Sequence, residues 1–319
     1  MLQRSNGDFI ATDIGILSPN DNSVGQIYKF HQGAFLNKGE FKFDLLMKDL
    51  KRPVFTKEVD LNNDGRLDLL VGQFGNTNGE LAWFELKSNN TYEKHLLHAT
   101  PGSINTKLID LNHDGLMDIV TLFAQGDESI RYYQNKGKGQ FSEEVLLRFP
   151  PIYGSSSFDM VDMNQDGLLD IVYTCGDNAD YSAILKPYHG VYIYTNQGNN
   201  QFKQTYFYPI NGCYKAIPLD FDKDGDIDIA TIAYFADYKQ KPKEGFVYFE
   251  NNGKTSFSKH SNILLQKGRW LTMDAGDYNH DGYIDLALGN FSYLKSFVDT
   301  TLDWSRGPQC IILTNKGKK

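Results

Sequence analysis

The sequence has 319 residues, of which 40% are hydrophobic and 29 are glycine, and its formal net charge is −8. This composition is typical of a globular protein with a large core and many turns, and the acidic balance argues against a nucleic-acid partner. No run approaches the ~20 apolar residues that a membrane-spanning helix needs.

Three cysteines are too few, and odd in number, for a disulfide framework. A single bridge between Cys175 and Cys213 is one alternative, and buried free thiols are the prediction that we favour.

The first 49 residues predict one repeat unit that has no metal-binding loop. Strand-like segments lie at residues 8–14, 26–31 and 40–46, and no clear first strand precedes them. Met1 leads directly into this pattern without a signal peptide, so we expect the start to be a fragment boundary.

From residue 50 onwards the motif D-x-[D/N]-x-D-G-x-x-D occurs five times. The copies begin at Asp60, Asp110, Asp162, Asp220 and Asp277, which are 50, 52, 58 and 57 residues apart. A period of this size indicates a propeller or a solenoid, in which each repeat buries its faces against its neighbours.

Each motif lies within a predicted unit of four strands, A to D, and no stretch shows helical periodicity. Strand A runs into the motif at residues 56–61, 106–111, 157–163, 215–221 and 271–278. Strand B follows at 67–71, 117–120, 169–172, 227–230 and 284–287, and aromatic-rich strand C at 81–86, 130–134, 191–195, 246–250 and 310–314. Asn-x-Gly turns requiring positive φ come next, and strand D begins at Tyr92, Phe141, Phe202 and Phe257.

The motif supplies the oxygen ligands that Ca²⁺ prefers. Side-chain oxygens at positions 1, 3, 5 and 9 and the carbonyl of position 7 form a flexible oxygen shell, whereas Mg²⁺ demands stricter octahedral geometry. An EF-hand is excluded, because position 12 is not Glu and a strand follows instead of a helix. We therefore predict about five calcium ions. The predicted ligands are Asp60, Asn62, Asp64, Arg66, Asp68, Asp110, Asn112, Asp114, Leu116, Asp118, Asp162, Asn164, Asp166, Leu168, Asp170, Asp220, Asp222, Asp224, Asp226, Asp228, Asp277, Asn279, Asp281, Tyr283 and Asp285.

The five loops, each followed by its B strand, resemble FG-GAP/VCBS repeats, which form the β-propeller of integrin α subunits and occur in many secreted bacterial proteins. The resemblance covers roughly residues 50–318 and implies an all-β propeller of four-stranded antiparallel blades, with calcium held between strands A and B. We expect a single domain with blades at about 1–49, 50–99, 100–150, 151–210, 211–267 and 268–319. The first blade is expected to be truncated, and a seventh blade from upstream sequence is favoured over closure of six.

The long connections all lie on the face opposite the calcium loops. They span residues 175–190, 235–245 and 291–308, together with the connection 148–156 from strand D to strand A. Loops above about 12 residues are usually functional or disordered. Aromatic rings beside carboxylates and amides suit sugars, which stack and hydrogen-bond. The candidate ligand contacts are Asp177, Asp180, Tyr181, Lys186, Tyr188, His189, Tyr238 and Trp304.

We expect a binding module that recognises a polysaccharide or a partner protein. Two alternatives are a carbohydrate-active enzyme, either a glycoside hydrolase or a polysaccharide lyase using Tyr188 and His189, and a scaffold domain of a larger envelope protein. No familiar enzyme motif is present. An extracellular, periplasmic or cell-surface location is expected, because calcium sites with dissociation constants of ~10⁻⁴–10⁻³ M fill only outside the cytosol.

Overall fold

The computed structural model describes residues 2–4, 7–32, 42–177, 184–253, 255–292 and 303–317. Within these ranges the chain forms β-strands and three short 3₁₀ helices. The strands make six antiparallel sheets, each built from strands that follow one another in sequence. The predicted all-β architecture of propeller blades is confirmed. No helix of the described residues has the length and hydropathy needed to cross a membrane.

Three sheets lie in a first compact unit, Met1–Pro151. Blade 1 comprises β1 (Leu2–Gln3), β2 (Phe9–Asp13), β3 (Gly25–Phe30) and β4 (Phe43–Leu50). Blade 2 comprises β5 (Pro53–Val59), β6 (Asp68–Gln73), β7 (Glu80–Leu86) and β8 (Tyr92–His98). Blade 3 comprises β9 (Ser103–Ile109), β10 (Asp118–Phe123), β11 (Ser129–Asn135) and β12 (Phe141–Arg148).

Three more sheets lie in a second unit, Ile152–Lys319. Blade 4 comprises β13 (Ser155–Val161), β14 (Asp170–Cys175), β15 (Gly190–Asn196) and β16 (Phe202–Pro209). Blade 5 comprises β17 (Cys213–Leu219), β18 (Asp228–Ala233), β19 (Phe246–Asn251) and β20 (Phe257–His260). Blade 6 comprises β21 (Trp270–Gly276), β22 (Asp285–Asn290) and β23 (Cys310–Leu313). The 3₁₀ helices are Pro242–Gly245, Ile263–Lys267 and Trp304–Arg306.

Strand D begins at the predicted aromatic residue in all four blades for which it was predicted. Two other predictions are corrected. Strand A ends two residues before its predicted end in each motif-bearing blade, as at Val59, because the first motif aspartate leaves the sheet to form the loop. Blade 1 does have a strand in the A position, since Leu2 and Gln3 pair with Ile10 and Phe9.

In blades 2 to 5 the B strand is the most buried element of the blade. All six residues of β6, β10, β14 and β18 are buried, as expected for strands covered on both faces. Apolar clusters join neighbouring blades within each unit. One cluster, for example, places Leu70 and Trp83 of blade 2 against Ile119 of blade 3.

The aromatic residue that opens strand D packs against the cluster shared with the preceding blade. Tyr92 lies against the cluster of blades 1 and 2, Phe141 against that of blades 2 and 3, and Phe257 against that of blades 4 and 5. Strand D therefore contributes to the contact between blades as well as to its own sheet.

Each motif ends in a buried aspartate that fastens strand B to two other parts of its blade. The carboxylate of Asp118 accepts the backbone N–H of Leu111 in the A–B loop at 3.1 Å and that of Asn135 at the end of strand C at 2.7 Å. It also accepts the hydroxyl of Tyr132 at 2.8 Å. The same two backbone bonds recur at Asp68, Asp170, Asp228 and Asp285. We refer to these five residues as the clasp aspartates.

An asparagine at the C-strand end completes this network. Asn135 accepts the N–H of Gly137 and donates to the carbonyl of Met117 in its own blade. It also donates to the carbonyl of Leu61 in blade 2, so it joins two blades. Asn315 of blade 6 similarly donates to Phe221 of blade 5.

We expect Asp118→Ala to lower the free energy of unfolding by about 3 kcal/mol, because three buried donors lose a charged acceptor. Urea denaturation with excess chelator measures this loss without any contribution from bound metal. Asp114→Ala is the matched control, since Asp114 is exposed and bonds only within the loop; it should cost less than about 1 kcal/mol. An equal loss of unfolding free energy in the two variants would show that the Asp118 hydrogen bonds do not stabilise the blade.

Candidate functional site

The five motif loops share one backbone conformation. Glycine at position 6 has φ between +83° and +95° in every copy, which only glycine adopts without steric cost. Position 4 is also left-handed, with φ of 58–63° at Asn63, His113, Gln165, Lys223 and His280. Sequence analysis missed this second position, because its side chains share no obvious chemistry. A positive φ at a non-glycine residue costs energy, so its fivefold repetition indicates that the loop shape is specified.

The loop of blade 2 shows how the side chains are arranged in four of the copies. Asp60 at position 1 accepts the backbone N–H groups of Asp64 and Gly65 at 3.1 and 2.8 Å. The side-chain oxygen of Asn62 accepts the N–H of Asp64, and its amide group donates to the Asp64 carboxylate. The equivalent bonds hold the loops of blades 3, 4 and 6.

The loop of blade 5 differs, because Asp222 replaces asparagine at position 3 and cannot donate to its neighbour. Oxygen atoms of Asp220, Asp222 and Asp224 lie within 4.8 Å of one another. The Oδ1 atom of Asp220 is buried and has no hydrogen-bond partner among the described residues. Three carboxylates this close repel each other, and a buried oxygen without a donor is costly.

These loops fit a hard divalent cation. Carboxylate and amide oxygens at positions 1, 3 and 5 are the donor type that Ca²⁺ takes, and the unbonded Asp220 oxygen gives a cation a specific place to bind. The clasp aspartates at position 9 already accept two backbone N–H groups each. Burial raises the pKa of the carboxyls of Asp68, Asp170 and Asp228, and those N–H bonds partly oppose the rise.

Two loops in the second unit contact the loop that follows them through the left-handed position 4. The Gln165 amide donates to the carbonyl of Gly225 at 2.8 Å and to the Asp226 carboxylate at 3.0 Å. The ammonium of Lys223 lies 4.3 Å from the centre of the Tyr283 ring. The unusual backbone therefore directs side chains towards the neighbouring loop.

A second cluster of metal-ligand side chains in the described residues has its negative charge balanced by a lysine. Glu85, Glu93 and His95 have ligand-type atoms within 4.8 Å of one another, but Lys87 forms ion pairs with both glutamates. We do not assign it as a metal site, since a cation there would have to displace the lysine.

The long connections of blade 4 lie at the opposite end of the strands from its motif loop. Tyr188 stacks on Tyr153 with ring centres 4.9 Å apart and an angle of 9°, and both rings are half-buried. The N–H of Asp177 bonds to the carbonyl of Gly154, next to Tyr153. The backbone carbonyl of Lys186 accepts the N–H of His189. Four of the predicted ligand contacts therefore lie at one end of blade 4, namely Asp177, Lys186, Tyr188 and His189. Asp180 and Tyr181 lie outside the described residues.

His189 is not accessible from this end of the blade. It is 1% exposed, and its Nδ1 accepts the N–H of Gly212. Its Nε2 is buried and has no hydrogen-bond partner in the part of the chain that the structure describes. Burial, with a smaller contribution from Lys186, lowers the pKa of His189 to about 4. The ring is therefore neutral near pH 7.

Tyr238 and Trp304 lie together but are buried, at 4% and 6% exposure. Their ring centres are 4.6 Å apart, the Tyr238 hydroxyl donates to the carbonyl of Ala233, and the Trp304 indole donates to that of Gln266. The guanidinium of Arg269 lies 5.9 Å from the Trp304 ring. These contacts pack blade 5 against blade 6. Cys175 and Cys213 are buried free thiols, as predicted, whereas Cys310 is a free thiol that is exposed.

Comparison with known proteins finds a family model that matches part of the chain. The FG-GAP-like repeat family matches residues 60–121 and 110–173, each match starting at a motif aspartate. A T-cell immunomodulatory protein homolog of Plasmodium falciparum (isolate 3D7) is 25% identical over 258 residues, covering 72% of this chain and 36% of that protein.

One solved structure, the V. cholerae biofilm matrix protein Bap1, aligns over 74% of this chain and 34% of its own, with a TM-score of 0.40 and 16% identity. The chain spans about a third of the length of both proteins. Residues 60–173 therefore contain two FG-GAP-like repeats, and the six sheets of the described residues are the blades of a β-propeller fold.

Proposed function

We propose that this chain is an exported, calcium-stabilised binding module that recognises an extracellular partner with the connections opposite its calcium loops. The observation that carries the calcium assignment is the blade 5 loop, where three carboxylates converge and one buried oxygen lacks a hydrogen-bond donor. The same loop backbone is repeated four more times.

Calcium would act structurally in this proposal. The side-chain oxygens of motif positions 1, 3 and 5 and the carbonyl of position 7 would hold each ion, and each ion would remove the repulsion among the loop carboxylates. The loop lies between strands A and B, so a bound ion would strengthen the connection that the clasp aspartate also makes. Export follows from calcium supply, because weak oxygen-ligand sites are filled only at extracellular calcium concentrations.

Recognition is assigned to the blade 4 end formed by Tyr153, Tyr188, Asp177 and Lys186. The stacked tyrosines present a partly exposed aromatic surface beside one acidic and one basic residue. Exposed aliphatic side chains lie in the same two connections. Ile152 precedes Tyr153 between β12 and β13, and Ile184 and Leu185 precede Lys186 between β14 and β15. Apolar and aromatic side chains rimmed by charges are typical of protein interfaces, so a partner protein is the first candidate. The tyrosine stack alone also suits a sugar ring, which keeps a polysaccharide as the second.

Binding is favoured over catalysis because of His189. A general base must reach its substrate, whereas this imidazole is buried behind the backbone of Gly212.

We expect isothermal titration to count about five calcium ions, and chelation to lower the melting temperature by about ten degrees or more. Five sites at ten times their dissociation constant would together contribute about 7 kcal/mol. Asp224→Ala should lose one ion, while Asp274→Ala, an exposed aspartate outside the loops, should lose none. An unchanged melt in EGTA, with no calcium heat, would refute structural calcium.

The burial of His189 predicts a dependence of stability on pH. Its pKa of about 4 in the folded chain lies below the ~6.5 of an unfolded chain. Its stabilising contribution is therefore complete above pH 6.5 and is lost as the pH falls towards 4, because only the unfolded chain binds the proton.

Between pH 6.5 and 5 the free energy of unfolding of the unmodified protein should fall by about 1.6 kcal/mol more than that of His189→Gln. Urea melts of both proteins in chelator measure the difference. Parallel curves would show that the imidazole titrates normally and is accessible.

Partner recognition can be tested with a glycan array and an array of purified extracellular proteins. Tyr188→Ala should weaken any binding about tenfold or more through loss of the aromatic contact, without a change in melting temperature above about three degrees. Tyr278→Ala removes an exposed tyrosine of a calcium loop and should bind normally. Polysaccharide turnover that is lost in His189→Ala would instead establish an enzyme.

A further inference from the structure

The fourth residue of two motif loops contacts the seventh residue of the loop that follows. The Gln165 amide of blade 4 donates to the Asp226 carboxylate at 3.0 Å and to the carbonyl of the adjoining Gly225 at 2.8 Å. The Lys223 ammonium of blade 5 lies 4.3 Å from the centre of the Tyr283 ring in blade 6. Asp226 and Tyr283 both occupy position 7 of their motifs. The same pair of motif positions is therefore in contact twice, with different side-chain chemistry each time.

These contacts run from one predicted metal site to the next. Position 4 stands between positions 3 and 5, whose side-chain oxygens we assign to the ion of their own loop. Position 7 would contribute its carbonyl oxygen to the ion of the following loop. Gly225 is bonded from both sides, since its N–H donates to Asp220 at 3.1 Å while its carbonyl accepts the Gln165 amide. Gln165 thus restrains the part of the blade 5 loop that leads into position 7.

The backbone of the blade 4 loop sets the direction of the Gln165 side chain. Gln165 has a φ of 61°, and the two residues after it, Asp166 and Gly167, donate their N–H groups to Asp162 at 3.1 and 2.7 Å. An ion held by positions 3 and 5 would order the segment that carries Gln165, and the amide would then order residues 225–226. A neighbouring site that is already ordered binds its own ion at a lower cost in conformational entropy.

The first unit contains a natural comparison. Asn63 has the same left-handed backbone, with a φ of 58°, but its side chain is one methylene shorter than that of Gln165. Position 7 of the next loop is Leu116, whose side chain carries no polar atom. Among the described residues no hydrogen bond joins Asn63 to the loop of blade 3. The contact from position 4 to position 7 is therefore not a requirement of the loop conformation.

We propose that the calcium sites of blades 4, 5 and 6 bind cooperatively, because Gln165 and Lys223 couple each loop to the next. The inference rests on the proposed function, in which these loops bind calcium. Gln165 and Lys223 act as positioning residues, since neither is among the assigned ligands. The three loops of the second unit should therefore fill together, over a narrower range of calcium concentration than independent sites would.

Hydrogen exchange with mass spectrometry, measured across a calcium titration of the whole chain, gives a midpoint for each loop. Removing the blade 4 site by Asp162→Ala should raise the midpoint of the blade 5 loop, residues 220–228, about fivefold or more. Removing the blade 5 site by Asp224→Ala should raise the midpoint of the blade 4 loop by the same factor, because coupling between two sites is reciprocal. Exchange in the buried strands β14 and β18 reports that each variant folds.

Gln165→Asn separates the contact from the sites themselves. Asparagine tolerates the left-handed backbone, but its amide is too short to reach Asp226. In this background Asp162→Ala should change the blade 5 midpoint less than about twofold. Lys223→Met tests the contact with blade 6 in the same way. In the first unit Asp64→Ala, which removes the blade 2 site, is the matched control and should change the blade 3 midpoint less than about twofold.

An unchanged blade 5 midpoint in Asp162→Ala would overturn the proposal. So would an equal rise with and without the Gln165 side chain, or an equal effect of Asp64→Ala on blade 3, because the coupling would then run through other contacts. These results differ from a failure of the proposed function, in which no loop responds to calcium and the coupling fails with it.

Discussion

A buried carboxylate at the start of strand B holds each motif-bearing blade together. The A–B loop and the end of strand C both direct a backbone N–H at it, so one side chain fixes three segments of the blade. The asparagine at the C-strand end extends this arrangement from one blade to the preceding one in two places. An aspartate suits the position because its two oxygens accept several bonds at once, and charged acceptors form stronger hydrogen bonds than neutral ones.

This constraint separates the two roles of the motif. The aspartate at position 9 holds the strands together through its hydrogen bonds. The residues at positions 1, 3 and 5 shape a loop that is mostly exposed. The loop backbone is already set by its own N–H bonds and by two left-handed residues, so a cation would bind a preformed site. The loop of blade 5 carries the most negative charge at positions 1, 3 and 5. Its third carboxylate replaces an amide that donates a hydrogen bond in the other loops.

Three repeats depart from the pattern that the other blades share. Blade 1 has no motif loop, and a two-residue strand takes the place of strand A. In blade 2 the C strand ends in Leu86 instead of asparagine, and Arg66 bonds to the carbonyl of Leu86. In blade 6 the outer strand lies beside an apolar groove. Blades 2 and 6 nevertheless keep both backbone bonds to the clasp aspartate.

The sequence alone determined the blades and their metal-type loops. Motif spacing, the apolar B strands and the aromatic residue of strand D are local signals that repeat, so they predicted the sheets and four D-strand starts. Local patterns could not decide which loop residues are accessible. Tyr188 and His189 are adjacent in sequence, yet one ring is partly exposed and the other is buried, and Tyr238 and Trp304 pack blade against blade. Burial depends on residues far away in the chain, such as Gly212 for His189, and only the tertiary structure brings these residues together.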